Sequence, residues 1–299
     1  MGDHLVWERD GRDWPNRAAS RFVSAGGIDW HLQDLGDGPV LLLLHGTGAA
    51  THSWRDLAPR LAEGFRVIAP DLPGHGFTRI ADDSSLSLPG MAAAVHALVQ
   101  ALGVRPALAA GHSAGAAVLI RMTLDRLIAP RGLVSINGAL MPFRGVAGHT
   151  FAPIARLLAG TTLTARLFAW RAENKGLVRG ILNSTGSQVE PVGEELYGRL
   201  ARNPGHVHAA LAMMANWDLG PLTADLPRLA TPLLLIAGGR DGTVPPDESF
   251  QARDLVPGAR VVCLRTLGHL AHEEKPAEIA GLVEEFWREV APPGATCDG

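Results

Sequence analysis

A chain of 299 residues, 46% apolar and 19% charged, has the composition of a folded protein with a sizeable core and not that of a disordered polymer. A formal charge of -3, with no run of Lys or Arg, leaves no excess to neutralise phosphates, so nucleic acid is not expected as a partner. Two cysteines, Cys263 in an apolar run and Cys297 in the tail, make no disulfide framework; they fit a reducing cytoplasm and carry no catalytic part in this reading.

Residues 1–16 are polar and charged without an apolar leader core. The longest aliphatic runs, 40–44 and 232–237, are too short to span a bilayer, so no transmembrane segment and a cytoplasmic location are expected. Residues 21–24 and 28–35 then predict a hairpin around Gly26-Gly27, followed by core strands at 40–44, 66–69, 107–111 and 133–136, and two late ones at 233–237 and 260–264. Between them, Trp54, Leu57 and Leu61 mark one helical stripe, and Met91, Val95, Leu98 and Leu102 mark another that Gly103 closes. A last helix after Pro276 places Ile279, Leu282, Val283, Phe286 and Val290 on one face. This alternation predicts an α/β protein, a mostly parallel sheet with helices on both faces.

From 139 to 224 the strand rhythm stops, and helical segments at 151–158, 163–171, 194–202 and 207–217 predict a helical cap inserted after the sixth strand. The core is thereby divided into 1–138 and 225–299. The Leu, Met, Phe and Trp of the cap suit packing among its own helices, and equally a lid over an apolar pocket for a small-molecule substrate. The tail 291–299, with Pro292-Pro293, is expected to fray.

The sharpest chemical signal is Gly111-His112-Ser113-Ala114-Gly115, a G-x-S-x-G turn between an apolar strand and a helical run. Its small residues let strand and helix approach and hold Ser113 strained and projecting, while the helix N-terminus offers the Ala114 N–H to a developing oxyanion. The glycine-flanked loop His45-Gly46-Thr47-Gly48 offers the Thr47 N–H as a second donor, with His45 shaping the loop. His269, in a loop between the last strand and last helix, is the expected base. Its rival His272, at the polar run His272-Glu273-Glu274-Lys275, is expected to face solvent or cap backbone. Asp241, in the Asp-Gly turn after the seventh strand, is the expected acid that fixes the imidazole tautomer. His75 is assigned a structural part. His149, His206 and His208 lack metal-ligand spacing, and no nucleotide motif occurs, so neither a metal nor a cofactor is expected.

These motifs, with residues 71–76 and 238–245, resemble the α/β-hydrolase family over residues 20–290. The resemblance implies the α/β-hydrolase fold, an eight-stranded sheet with an inserted cap, and a carboxylesterase-like chemistry. Some members place the acid after the sixth strand, where this chain has Ile136-Asn137-Gly138 and no carboxylate. Epoxide hydrolases and haloalkane dehalogenases place Asp at the elbow that holds Ser113 here. A narrower resemblance is carried by Trp14-Pro15-Asn16-Arg17-Ala18-Ala19-Ser20, by 46–57 and by 71–78, and is to the hydrolase-like magnesium-chelatase accessory proteins of bacteriochlorophyll biosynthesis. It implies a soluble cytoplasmic protein tied to magnesium insertion or a nearby step, with magnesium chelatase or a porphyrin intermediate as partner, and it names no substrate. Three readings stay open at this point: a serine hydrolase, a non-hydrolytic accessory protein, and a lyase or cofactor-free peroxidase on the same residues.

Overall fold

The computed structural model describes residues 4–80, 82–142 and 162–291. The helix expected at 151–158, Cys297 and nearly all of the tail lie outside the described residues. Eight strands form one sheet: β1 (Ser20–Ala25), β2 (Ile28–Leu35), β3 (Val40–Leu44), β4 (Arg66–Pro70), β5 (Leu108–His112), β6 (Gly132–Ile136), β7 (Leu233–Gly238) and β8 (Arg260–Leu264). Their spatial order is β1-β2-β4-β3-β5-β6-β7-β8, antiparallel at β1/β2 and β2/β4 and parallel elsewhere.

The central strands read as unbroken apolar runs because both faces are covered. Leu41 and Leu43 of β3 point into one apolar layer with Val67, Leu108, Val134 and Leu234, while Leu42 and Leu44 point into the other with Ile68, Ala109 and Leu133. The numbered helices are α1 (Trp7–Asp10), α2 (Leu57–Leu61), α3 (Leu88–Ala101) and α4 (Ala114–Leu124), of which α3 and α4 cover the second layer. The expected Trp54 stripe is divided between a 3-10 turn at Thr51–Trp54 and α2.

Among the described residues, five helices lie between β6 and β7: α5 (Thr162–Arg171), α6 (Lys175–Ser184), α7 (Pro191–Ala201), α8 (Pro204–Ala215) and α9 (Gly220–Asp225). Both α7 and α8 begin three residues before their apolar pattern does, because a first-position proline already holds the helical φ. The α6 helix forms despite Gly176 and Gly180. Asn174 caps it through the Gly176 N–H at 2.9 Å, and Val178 and Leu182 pack against Leu270. After β7 come α10 (Pro246–Leu255), α11 (Ala271–Glu274) and α12 (Pro276–Val290); the last buries Ile279, Val283, Phe286 and Trp287 against the first layer.

Six histidines gather near the C-terminal ends of the strands, each 4% exposed or less: His45, His52, His75, His112, His206 and His272. Burial lowers all six below the ordinary imidazole range, His206 to about 4 and His272 to about 3. Burial alone would raise the Asp71 carboxyl. It is nonetheless held below its usual range by His31 at 2.7 Å, by His45 and by the Phe77 N–H at 2.9 Å.

The unfolded chain takes up protons at these histidines below about pH 6.5 while the folded chain does not, so stability is complete above that value and falls with pH. The Asp71 contribution is likewise present above about pH 4 and is lost below it. The urea midpoint should be level from pH 8.5 to 7, fall from pH 6.5 toward 4 and steepen below. A level midpoint from pH 8 to 4.5 would contradict the neutral burial of these rings.

Candidate active site

Ser113 is the residue immediately before α4 and has φ 51 and ψ -119, a left-handed region that costs a non-glycine residue about 1–3 kcal/mol. Three backbone hydrogen bonds hold it there. Its N–H donates to the Ile136 carbonyl at 3.0 Å, and its own carbonyl accepts from Ala116 and Ala139, both at 3.2 Å.

The glycines around it are required by contact. A Cβ at Gly111 would stand 2.4 Å from the Ala116 nitrogen, and one at Gly115 would stand 2.1 Å from the Leu44 carbonyl oxygen. A Cβ at Gly46 would meet His112 Nδ1 at 2.8 Å and Ser113 Cβ at 2.9 Å, so the loop after β3 lies directly on the serine turn. Thr47 sits in that loop, followed by Gly48 at φ 76, and Ala114 opens α4 with an amide that has no partner within the helix. The His45 Nδ1–H donates to the Gly46 carbonyl at 2.8 Å, and its Nε2 accepts the Leu72 N–H at 2.9 Å, so this imidazole shapes the loop.

Asp241 and His269 are joined. Oδ2 of Asp241 accepts the His269 Nδ1–H at 2.7 Å, which leaves Nε2 as the basic nitrogen. Oδ1 is taken by the Thr243 and Val244 amides at 2.7 and 2.8 Å. Both residues are buried. No hydrogen bond links His269 to Ser113 among the described residues. Such contacts are commonly loose before substrate arrives.

Three groups that support this pair escape a reading based on motifs. Asn137, at φ 48 just past β6, donates its side-chain N–H to Asp241 Oδ2 at 2.8 Å, on the same oxygen that faces His269. The signal was an asparagine, tolerant of the left-handed region, at a strand end where a carboxylate could have stood. His112 donates its Nε2–H to the His269 carbonyl at 2.9 Å and so ties the serine turn to the histidine loop. The Thr185 carbonyl accepts from both Gly242 N–H at 3.0 Å and His269 N–H at 3.1 Å, and Ser187 Oγ accepts the Leu270 N–H at 2.8 Å. The stretch after α6 thus runs against the acid and histidine loops together, at Gly186, Gly242 and Gly268.

His272 departs from expectation. It is fully buried, packed between the His112 ring at 4.5 Å and the Trp54 ring at 4.6 Å, and neither of its nitrogens has a hydrogen-bond partner among the described residues. The polar run hid this because Glu273 also turns inward, where Arg55 and the Tyr197 hydroxyl satisfy its carboxylate. Cys263 is exposed on the edge strand β8.

Two clefts, of about 250 and 440 Å³, open elsewhere. One is beside Gly74, Asp83 and His208, the other beside Trp7, Phe22 and Arg79, and neither is lined by Ser113, Thr47 or His269. Among the described residues no cluster of three or more His, Cys, Asp and Glu could hold a metal ion, and no helix is long and apolar enough to cross a membrane.

The contact at Gly115 gives a test of opposite signs. Gly115→Ala must push on the backbone of β3 and should cost about 2 kcal/mol or more. Gly281→Ala, on α12 with nothing within 4 Å of the added carbon, should stabilise by about 0.5–1 kcal/mol. Urea midpoints of the two variants should therefore move apart; equal midpoints would show that β3 and α4 are not in close contact at residue 115.

The alpha/beta hydrolase family model matches residues 41–282. The chain is 43% identical over 278 residues to the magnesium-chelatase 30 kDa subunit of Rhodobacter capsulatus, covering 92% of this chain and 96% of that one. It is 31% identical over 256 residues to a pimeloyl-[acyl-carrier protein] methyl ester esterase of Xanthomonas oryzae pv. oryzae, covering 83% and 96%. The crystal structure of an alpha/beta hydrolase fold protein from Burkholderia ambifaria superposes with a TM-score of 0.77 at 23% identity, covering 89% of this chain and 97% of that one, and shares the fold. By fold, sequence match and strand order, the chain belongs to the α/β-hydrolase family.

Proposed function

We propose that this chain is a serine hydrolase acting on an ester-like bond of a bulky apolar small molecule, in the cytoplasm and in association with bacteriochlorophyll biosynthesis. The observation that carries the chemistry is Ser113, strained at the head of α4, beside an Asp241–His269 pair whose tautomer leaves Nε2 basic. His269 Nε2 takes the Ser113 proton as Oγ attacks the carbonyl carbon, and returns it to the leaving alkoxide. The Thr47 and Ala114 amides receive the charge that develops on the carbonyl oxygen. Asp241, steadied by Asn137 and two amides, stabilises the imidazolium. Residues 139–224 act as a cap domain between the core segments 1–138 and 225–299, and supply apolar surface to the substrate.

A second reading is favoured by one observation, the 43% identity to a magnesium-chelatase subunit. On that reading the chain binds a porphyrin intermediate or a chelatase subunit without covalent chemistry. The two separate on Ser113.

A fluorophosphonate probe should label the wild type and not Ser113→Ala, and p-nitrophenyl butyrate turnover should fall at least 10³-fold in that variant, a loss on the scale of removing a catalytic nucleophile. Folded wild type that takes no label, with a protoporphyrin spectral shift that survives Ser113→Ala, would replace hydrolysis by binding.

A further inference from the structure

One of the residues by which the helices between β6 and β7 meet the core loops has no part in the proposed proton transfer. His206, on α8, is buried, and both its ring nitrogens are engaged by backbone of core loops. Its Nε2–H donates to the Gly48 carbonyl at 3.1 Å, and its Nδ1 accepts the Gly76 N–H at 3.1 Å. A carbonyl can only accept and an amide can only donate, so the ring is neutral with its proton on Nε2. Its low proton affinity is consistent with that state.

The placement of this ring is determined locally. Asn203 caps α8 by accepting the His206 N–H at 3.0 Å. One turn on, Ala209 lies so close to the loop after β4 that a Cβ at Gly74 would stand 2.5 Å from its methyl. Two turns on, Met213 Sδ accepts the Thr47 hydroxyl at 3.4 Å. His206, Ala209 and Met213 are spaced at three and four residues, so they share one helix face.

The loop they touch needs such support. Thr47 stands between Gly46 and Gly48, and two glycines give a short loop little rigidity of its own. Met213 holds the Thr47 side chain, and His206 holds the carbonyl one residue on. An amide that is to meet a developing oxyanion must be fixed before the charge appears.

We propose that His206 is a positioning residue that fixes the Thr47 amide over Ser113, so that the helices between β6 and β7 complete the oxyanion site as well as cover it. This rests on the reading of Thr47 as an oxyanion donor. Misplacement of a donor by about 1 Å can cost on the order of 10²-fold in rate, and the loss belongs to the transition state and not to substrate binding.

The test uses the full chain, with p-nitrophenyl butyrate as the probe substrate and a trifluoromethyl ketone as the oxyanion-forming inhibitor. His206→Ala should lower kcat about 10–100-fold with KM within about 2-fold, and weaken the ketone in step with kcat. His206→Gln offers a carboxamide N–H and C=O in place of the two ring nitrogens, and should recover most of the rate. Met213→Leu keeps the volume, removes the sulfur acceptor and should give a smaller fall in kcat; it serves if His206→Ala does not fold. Amide hydrogen exchange at residues 46–49 should quicken in His206→Ala while exchange in β5 and α4 is unchanged.

Wild-type kcat and unchanged exchange in His206→Ala would overturn the proposal, as would parallel changes in kcat and KM that Gln does not rescue. If the wild type shows no Ser113-dependent turnover, the hydrolase reading fails instead. The exchange measurement then still decides whether His206 holds the loop.

Discussion

Everything at this site depends on the near contact between the end of β3 and the first turn of α4. The Leu44 carbonyl leaves no space for a side chain at 115, and the Ala116 nitrogen leaves none at 111. The chain can pass from β5 into α4 only through a sharp turn, and Ser113 is the residue forced into the left-handed region there. The cost of that conformation is offset by the three backbone hydrogen bonds to Ser113 and by the apolar layer that α4 buries beneath the sheet. Because β3, β5 and β6 are parallel neighbours, the loops that follow them emerge at the same edge and lie against the serine turn.

Most of that frame was legible in the chain. The continuous aliphatic runs of β3 and β7 and the alternation with helices predict a doubly covered sheet, and the observed strands match the expected ones to within two residues at their ends. Ser113, Thr47, Asp241 and His269 each follow a strand, which sequence order alone predicts. Three kinds of feature were hidden. The α10 helix buries only Ser249 and Ala252, so it carries no apolar period to read. His272 and Glu273 sit in a charged run, yet both are buried, because their partners Trp54 and Arg55 come from more than two hundred residues earlier. Asn137, His112 and Thr185 act through single hydrogen bonds across the fold, and spacing along the chain does not encode such pairs.

The buried polar groups divide into two structural roles. Arg55, Glu273 and Tyr197 link the 3-10 turn region after β3, α11 and α7 through one ion pair and one hydroxyl, with Arg55 and Glu273 buried and Tyr197 half-buried. A buried pair of this kind contributes little net stability, because desolvation offsets the attraction, but removing one partner strands the other. Its effect is to specify how α7 meets the core. The histidines His45 and His206 fix neighbouring segments with neutral rings, each of which bridges a backbone acceptor and a backbone donor through its two nitrogens.

From these contacts follows a constraint on how any ligand reaches Ser113. The stretch after α6 is hydrogen-bonded through Thr185 and Ser187 to the loops that carry Asp241 and His269, and α8 is bonded through His206 and Met213 to the loop that carries Thr47. Lifting these helices as one rigid lid would break bonds on both sides of the serine and release the loops that carry Asp241, His269 and Thr47. A lid is useful only if it is drawn from a weakly held part of the structure. The segment 184–187 is held by the Thr185 and Ser187 hydrogen bonds and by close glycine-to-backbone contacts, and the His206 face of α8 by the two His206 bonds and the Met213 contact, which places both with the scaffold. Access to Ser113 is therefore compatible with an intact site only if it leaves these two anchors in place.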